Sequence, residues 1–218
     1  MGRHGRGPRS GVSSMGSLAR FDITQVCTQF ACANFLETGT GSGAGITAAL
    51  QAPLERIFSV EIMPTIAAAA RRRFARDARV EIVEGTSAEG LARILTRLPT
   101  AVPTLFWLDA HFPGADYGLA GYDAEKDVDI RLPLERELAL IKSARPASRD
   151  VIIIDDLRIY IDGPFGNGNI PAIAQTLPED ARNIDFVARL YASSHDCRGF
   201  FEDEGYLVLT PRREAGLP

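Results

Sequence analysis

The chain contains no apolar run of the ~18 residues that a membrane-crossing helix needs, so no membrane span is expected. Cysteine is scarce. Cys27, Cys32 and Cys197 are an odd number in neither metal-finger nor CxxC spacing. This excludes a disulfide-stapled or zinc-ribbon scaffold and reads as free thiols in a reducing, cytoplasmic compartment. Positive charge is short as well, with a net charge of −4. Three of the basic residues, Arg3, Arg6 and Arg9, fall in Met1–Ser17, which holds no acid, so the remainder is more acidic than the whole. An acidic body excludes broad binding along a nucleic-acid backbone. Also missing are an Asn/Asp-Pro-Pro-Tyr/Phe motif for base amines, a Pro-Cys pair for cytosine carbon-5, and any internal repeat. Met1–Ser17 lacks the apolar stretch of a secretory signal and is broken by glycines, so it reads as a disordered tail (1–17) before a single domain (18–218). Hydrophobic residues at 45% and charged residues at 24% suffice, over 218 residues, to bury a full core without cross-links.

Short apolar runs alternate with helical patterns after the tail. Strands are expected at Ala33–Glu37, Ile57–Glu61, Val80–Glu84, Thr104–Asp109 and Val151–Ile154. Helices are expected at Phe21–Cys32, Ala44–Gln51, Pro64–Arg76, Ser87–Leu98 with Ser87 as N-cap, Leu134–Ser143 and Ile170–Leu177. Phe186–Ala192 and Tyr206–Leu209 read as a closing antiparallel pair of strands. Alternating strands and helices imply a doubly wound α/β fold, with a parallel sheet whose strand ends gather on one ligand-binding edge.

That edge collects the glycines and acids. Glu37-Thr-Gly39-Thr40-Gly41-Ser-Gly43-Ala-Gly45 lies between a strand and a helix, where glycines permit close approach of a ligand to the backbone. From Gly39 to Ala44 it satisfies G-x-G-x-x-A, and Glu61, some way on, is placed to take a ribose diol. Glu37 separates two nucleotide readings. A carboxylate beside the loop repels the pyrophosphate of a dinucleotide but suits the ammonium and sulfonium of S-adenosylmethionine.

In order, Phe35-Leu-Glu-Thr-Gly-Thr-Gly41, Ser59-Val-Glu61, Glu84-Gly-Thr-Ser87, Phe106-Trp-Leu-Asp-Ala-His111 and Ile153-Ile-Asp-Asp156 resemble class I S-adenosylmethionine-dependent methyltransferases. The Leu-Asp-Ala-His and Asp-Asp elements are most similar to small-molecule O-methyltransferases of the macrocin type. The resemblance covers roughly Phe35 to Thr210 and implies a seven-stranded Rossmann-like sheet with its last strand antiparallel. It puts Glu37, Gly39, Thr40, Gly41 and Gly43 at the amino-acid end of the donor, and Glu61 and Ile62 at its ribose. Thr86 and Ser87 fall near the adenine. Many relatives carry an acid where Thr86 stands, so here the Ser87 hydroxyl or a backbone group would take that part.

Asp109, Asp155 and Asp156 end two strands and converge if those strands are neighbours. Close carboxylates repel unless a proton or cation intervenes, and oxygen ligands suit Mg²⁺. The resemblance implies that this trio holds a divalent metal that gathers the hydroxyls of the acceptor. Asp109 and His111 are the catalytic candidates, with His111 as general base. His195 is a second histidine candidate, and Asp156 alternatively holds Arg158. Arg71–Arg73 and Arg76 read as a solvated helix face. The Gly114–Asp129 loop, carrying Tyr117 and Tyr122, reads equally as a cover that closes over an acceptor and as an exposed disordered loop. The sequence thus reads as a cytoplasmic O-methyltransferase using S-adenosylmethionine, with or without Mg²⁺, on a hydroxyl of a small molecule. It engages neither membrane nor nucleic acid, and a homodimer stays open. Two alternatives remain at this stage: an NAD(P)-dependent oxidoreductase and a non-catalytic S-adenosylmethionine-binding module.

Overall fold

The computed structural model describes residues 17–170, 177 and 182–212. Seven strands form one sheet: β1 (Asn34–Thr38), β2 (Arg56–Glu61), β3 (Val80–Glu84), β4 (Thr104–Leu108), β5 (Val151–Ile154), β6 (His195–Phe200) and β7 (Tyr206–Pro211). Their order is β3-β2-β1-β4-β5-β7-β6. Strands β1 to β5 pair in parallel, and β7 runs antiparallel to both β5 and β6. The doubly wound fold expected from the sequence is therefore present.

Burial on both faces explains the apolar runs of β4 and β5. Successive residues of a strand point to opposite sides. Leu36, Phe58, Phe106 and Ile152 pack into one core cluster, while Phe35, Ile57, Leu105 and Ile153 pack into the other. Helices α1 (Ile23–Phe30), α2 (Ala44–Ala49) and α3 (Pro64–Phe74) cover the second cluster. Helices α4 (Ser87–Leu95), α6 (Leu134–Ala144) and α7 (Asp185–Tyr191) cover the first, and α5 (Val128–Arg131) is a single turn. No helix among the described residues is long and apolar enough to cross a membrane.

The closing segment differs from the expectation. Phe186–Ala192 is not a strand: Phe186, Val187 and Tyr191 are buried on one side of α7. Their spacing of one and four residues is that of a helix face. The strand is His195–Phe200 instead, which reads as a polar loop because it is an edge strand with most side chains exposed. The first helix is shorter than expected, with Asp22 as its N-cap accepting from the Gln25 amide at 2.8 Å. The helix expected at Ile170–Leu177 lies largely outside the described residues.

One polar group ties the N-terminal edge of the sheet. The Arg145 side chain is wholly buried and forks onto Asp150, with Nε to Oδ2 and Nη2 to Oδ1 both at 2.8 Å. Further Arg145 donors reach the carbonyls of Pro99 (3.1 Å) and Val102 (2.8 Å), and the Thr104 amide donates to Asp150 at 2.8 Å.

At the opposite edge the order reverses between β1 and β4, the neighbours at the centre. Chains leaving these two strands turn to opposite faces and open a crevice between them. Gly39 follows β1 and Asp109 follows β4, so the glycine loop and the first carboxylate meet there.

Candidate functional site

The crevice holds a cavity of about 270 Å³. One half is walled by the glycine loop and the ends of β2 and β3, the other by the ends of β4 and β5. Gly39, Gly41, Glu61, Ile62, Thr86 and Ser87 line the first half; Asp109, His111, Asp155 and Asp156 line the second.

Gly39 is held at φ +85, with its amide donating to the Val60 carbonyl at 2.9 Å. A Cβ at this position would collide with the Asp109 carbonyl oxygen, so only glycine lets β1 and β4 deliver their loops side by side. Glu61 closes the rim. Its Oε2 accepts from the Gly41 amide at 3.1 Å and its Oε1 from the Met63 amide at 2.8 Å. The Tyr117 hydroxyl accepts from the Ser42 amide at 2.7 Å, so the long loop after β4 folds over the glycine loop. Tyr122 packs edge-on against Phe112 at 5.2 Å, and all three aromatic residues line the cavity. Arg73 donates to the Ser42 carbonyl and to Thr47. The arginine run is thus not wholly a solvated face, since Arg73 props the glycine loop.

Glu37, Thr40 and Gly43 do not line the cavity. Glu37 is 1% exposed and lies beneath the loop, accepting from Ser59 Oγ at 2.6 Å. It packs where a side chain on Gly45 would go, which accounts for that glycine. The Thr40 hydroxyl pairs with Ser59 Oγ, and Gly43 packs on Phe74. The direct donor contact expected of Glu37 is replaced by a supporting position. Thr86, not Ser87, is the N-cap of α4: its hydroxyl accepts from the Glu89 amide, and Glu89 accepts from the Thr86 amide at 3.1 Å. Ser87 is left as the first helical residue, on the cavity wall.

Burial raises the Glu37 carboxyl to about 8, against the Ser59 bond that lowers it and with Asp109 and Glu61 adding to the rise. The folded state therefore binds this proton more tightly than the unfolded chain, whose carboxyl titrates near 4.5. Its contribution to stability is complete below pH 4.5 and is lost as pH rises through about 8. Melting temperatures taken across this window are expected to fall with rising pH. Glu37→Gln, which mimics the protonated form, should make the fall shallower, leaving the part owed to the buried Glu137, and melt above the parent at pH near 8.5. A Gln variant with the parental slope would remove Glu37 as its source.

In the second half, His111 bridges two acids, with Nε2 2.6 Å from Asp156 Oδ2 and Nδ1 3.5 Å from Asp109 Oδ1. One ligand atom from each of these three residues lies within 4.8 Å of the others. Asp155 lines the same cavity. It is 3% exposed, its Oδ1 accepts from the Asp156 amide at 2.8 Å, and burial beside Asp109 and Asp156 holds its carboxyl well above the usual carboxylate range. The three-atom cluster is thus Asp109, His111 and Asp156, with the buried Asp155 beside it. Asp156 sits at φ +52, a left-handed conformation that turns its side chain back toward His111. His195 belongs elsewhere: it is 3% exposed, with Nε2 3.0 Å from the Asp150 carbonyl at the N-terminal edge.

Sequence reasoning named Arg158 only as a partner for Asp156 and did not single out Glu204, yet both line the cavity. Glu204 lies in Glu202-Asp203-Glu204-Gly205, whose composition signals only a solvated turn.

No protein-family model matches the chain, and no curated protein matches it. Solved structures do. A SAH-bound methyltransferase of Podospora anserina superposes with a TM-score of 0.55 at 18% identity, covering 88% of this chain and 76% of that one. An O-methyltransferase of Bacillus cereus in complex with SAH gives 0.55 at 17% identity, covering 93% of this chain and 84% of that one. The likeness shows that the chain has the Rossmann-like methyltransferase fold.

Proposed function

We propose that the protein is an S-adenosylmethionine-dependent O-methyltransferase acting on a small hydroxylated molecule in the cytoplasm. One observation carries this reading: the Gly41 amide donates to the Glu61 carboxylate. A dinucleotide would need that amide for its pyrophosphate and would meet a carboxylate instead. Among the described residues no arginine or lysine lines the donor half, and Arg73 is spent on the Ser42 carbonyl. Hydroxyls of a ribose and the cationic methionine end of the donor suit the same surroundings. The SAH named for two similarly folded proteins supports the same ligand class.

When bound, S-adenosylmethionine supplies an electrophilic methyl group. Glu61 would accept from the ribose hydroxyls, Gly39 and Gly41 would admit the amino-acid end, and Ser87 would serve the adenine. Glu37 fixes the loop from below. His111, oriented by Asp156 at Nε2, takes the proton of the acceptor hydroxyl on Nδ1, and the loop bearing Tyr117 and Tyr122 excludes water. Asp109 and Asp156, with His111 within reach, form a donor set that fits a divalent cation. Such an ion would lower the pKa of the hydroxyl. Asp155 is turned to the Asp156 amide and lies outside that set. The convergence of these groups beside the donor half favours an enzyme over a passive binding module.

Calorimetric titration with S-adenosylhomocysteine, and with NADH in parallel, tests the donor. Micromolar binding of the former alone is expected, and binding of NADH alone would hand the site to an oxidoreductase. Asp109→Asn is expected to keep S-adenosylhomocysteine affinity within about threefold while lowering methyl transfer to a catechol acceptor by roughly 10²–10⁴. Undiminished transfer would remove Asp109 from the chemistry, and full activity in EDTA would remove the cation.

A further inference from the structure

The far wall of the cavity is made by Arg158, after β5, and Glu204, at the tip of the hairpin joining β6 to β7. Main-chain bonds clamp the hairpin to the turn after β5. The Leu157 amide donates to the Gly205 carbonyl and the Arg158 amide to the Glu204 carbonyl, both at 3.0 Å.

Glu204 is 5% exposed although it lines the cavity. Its Oε1 accepts from Asn167 Nδ2 at 2.9 Å and lies 3.4 Å from Arg158 Nη2. Its Oε2 is buried with no hydrogen-bond partner among the described residues, and so is Asp156 Oδ1, which lies 3.5 Å from Arg158 Nε. Arg158 therefore divides one positive charge between two carboxylates through long contacts and spends a further donor on the Asn167 carbonyl at 3.3 Å. A buried carboxylate oxygen without a donor is unfavourable until something donates to it. The wall is short of donors and over-supplied with acceptors.

We propose that Glu204 recognises the acceptor: its carboxylate, which shares the single charge of Arg158 with Asp156, draws a donor group, an ammonium before a hydroxyl, to the end of the acceptor remote from the methylated hydroxyl. The same wall rejects acceptors bearing a carboxylate there. This rests on the methyltransferase reading and adds to it the chemical class of the second substrate: a hydroxylated amine or polyol and not a hydroxylated acid. Specificity of this kind comes as much from the unpaired charge imposed on the wrong molecule as from the bond made to the right one.

The test uses three catechols that share one diol and differ in charge: dopamine, catechol and 3,4-dihydroxybenzoate. Each is titrated by calorimetry into the full chain loaded with S-adenosylhomocysteine, in the presence of Mg²⁺. Dopamine is expected to bind tightest and dihydroxybenzoate at least about tenfold more weakly, and in Glu204→Gln the ratio should shrink to about threefold or less. Unchanged S-adenosylhomocysteine affinity in the variant would report an intact fold. The proposal is overturned by equal affinity for dopamine and dihydroxybenzoate, by a ratio that survives Glu204→Gln, or by loaded protein that binds none of the three. Failure of S-adenosylhomocysteine itself to bind is a distinct result, which overturns the donor reading and the acceptor assignment with it.

Discussion

Arg145→Ala is expected to destabilise the fold by about 3–5 kcal/mol, the range seen when one partner of a buried ion pair is removed. The side chain is 0% exposed and Asp150 2% exposed, so water cannot replace the lost guanidinium. Asp150 would keep the Thr104 amide and Ser148 as donors but remain a buried charge without a cation. The carbonyls of Pro99 and Val102 would lose their donor too. Urea unfolding followed by tryptophan fluorescence checks this, because Trp107 lies in β4 and is buried. A loss below about 1 kcal/mol would mean that the pair contributes no more than an exposed one. Removing both partners, as Arg145→Met with Asp150→Asn, should recover part of the loss, since no lone charge is left buried.

Glu61→Ala should weaken S-adenosylhomocysteine binding by roughly 10–100-fold, equivalent to the ~1.5–3 kcal/mol carried by hydrogen bonds to a charged group. Two effects add. The ribose hydroxyls lose their acceptor, and the amides of Gly41 and Met63 lose the carboxylate that fixes the rim. Glu61→Gln separates them, since an amide oxygen still accepts one of these bonds, and it should fall between the parent and the alanine variant. Calorimetry reads both. Affinity unchanged in Glu61→Ala would take the ribose away from the end of β2.

The parts legible in the sequence are those where one environment dictates a long run of residues. β4 and β5 are buried on both faces and appear as nearly unbroken apolar stretches, β1 and β2 as shorter apolar pairs, and the glycines and acids after them mark the working edge. The illegible parts depend on tertiary neighbours. Nothing in His195–Phe200 announces a strand, because only its pairing with β7 makes it one. Phe186–Tyr191 carries the spacing of a helix face but is short enough to resemble a strand. Glu37 stands next to the glycine loop in the chain, and only the three-dimensional structure shows that it lies under the loop rather than in the cavity. Asp155 and Asp156 are adjacent and chemically identical, yet a left-handed turn at the second sends one inward and the other to His111. Glu204 carries no signal at all, since hairpin docking alone brings it to the wall.

The strand order has a consequence for how the molecule is assembled. β7 slots between β5 and β6, so the late strand must enter beside one that was made much earlier. The donor half of the cavity needs contacts only among segments from Gly39 to Asp109, whereas the acceptor wall waits for Glu204. Local contacts form before distant ones because short loops close at lower entropic cost. During synthesis the segments that wall one half of the cavity are therefore all present before the opposite wall is made.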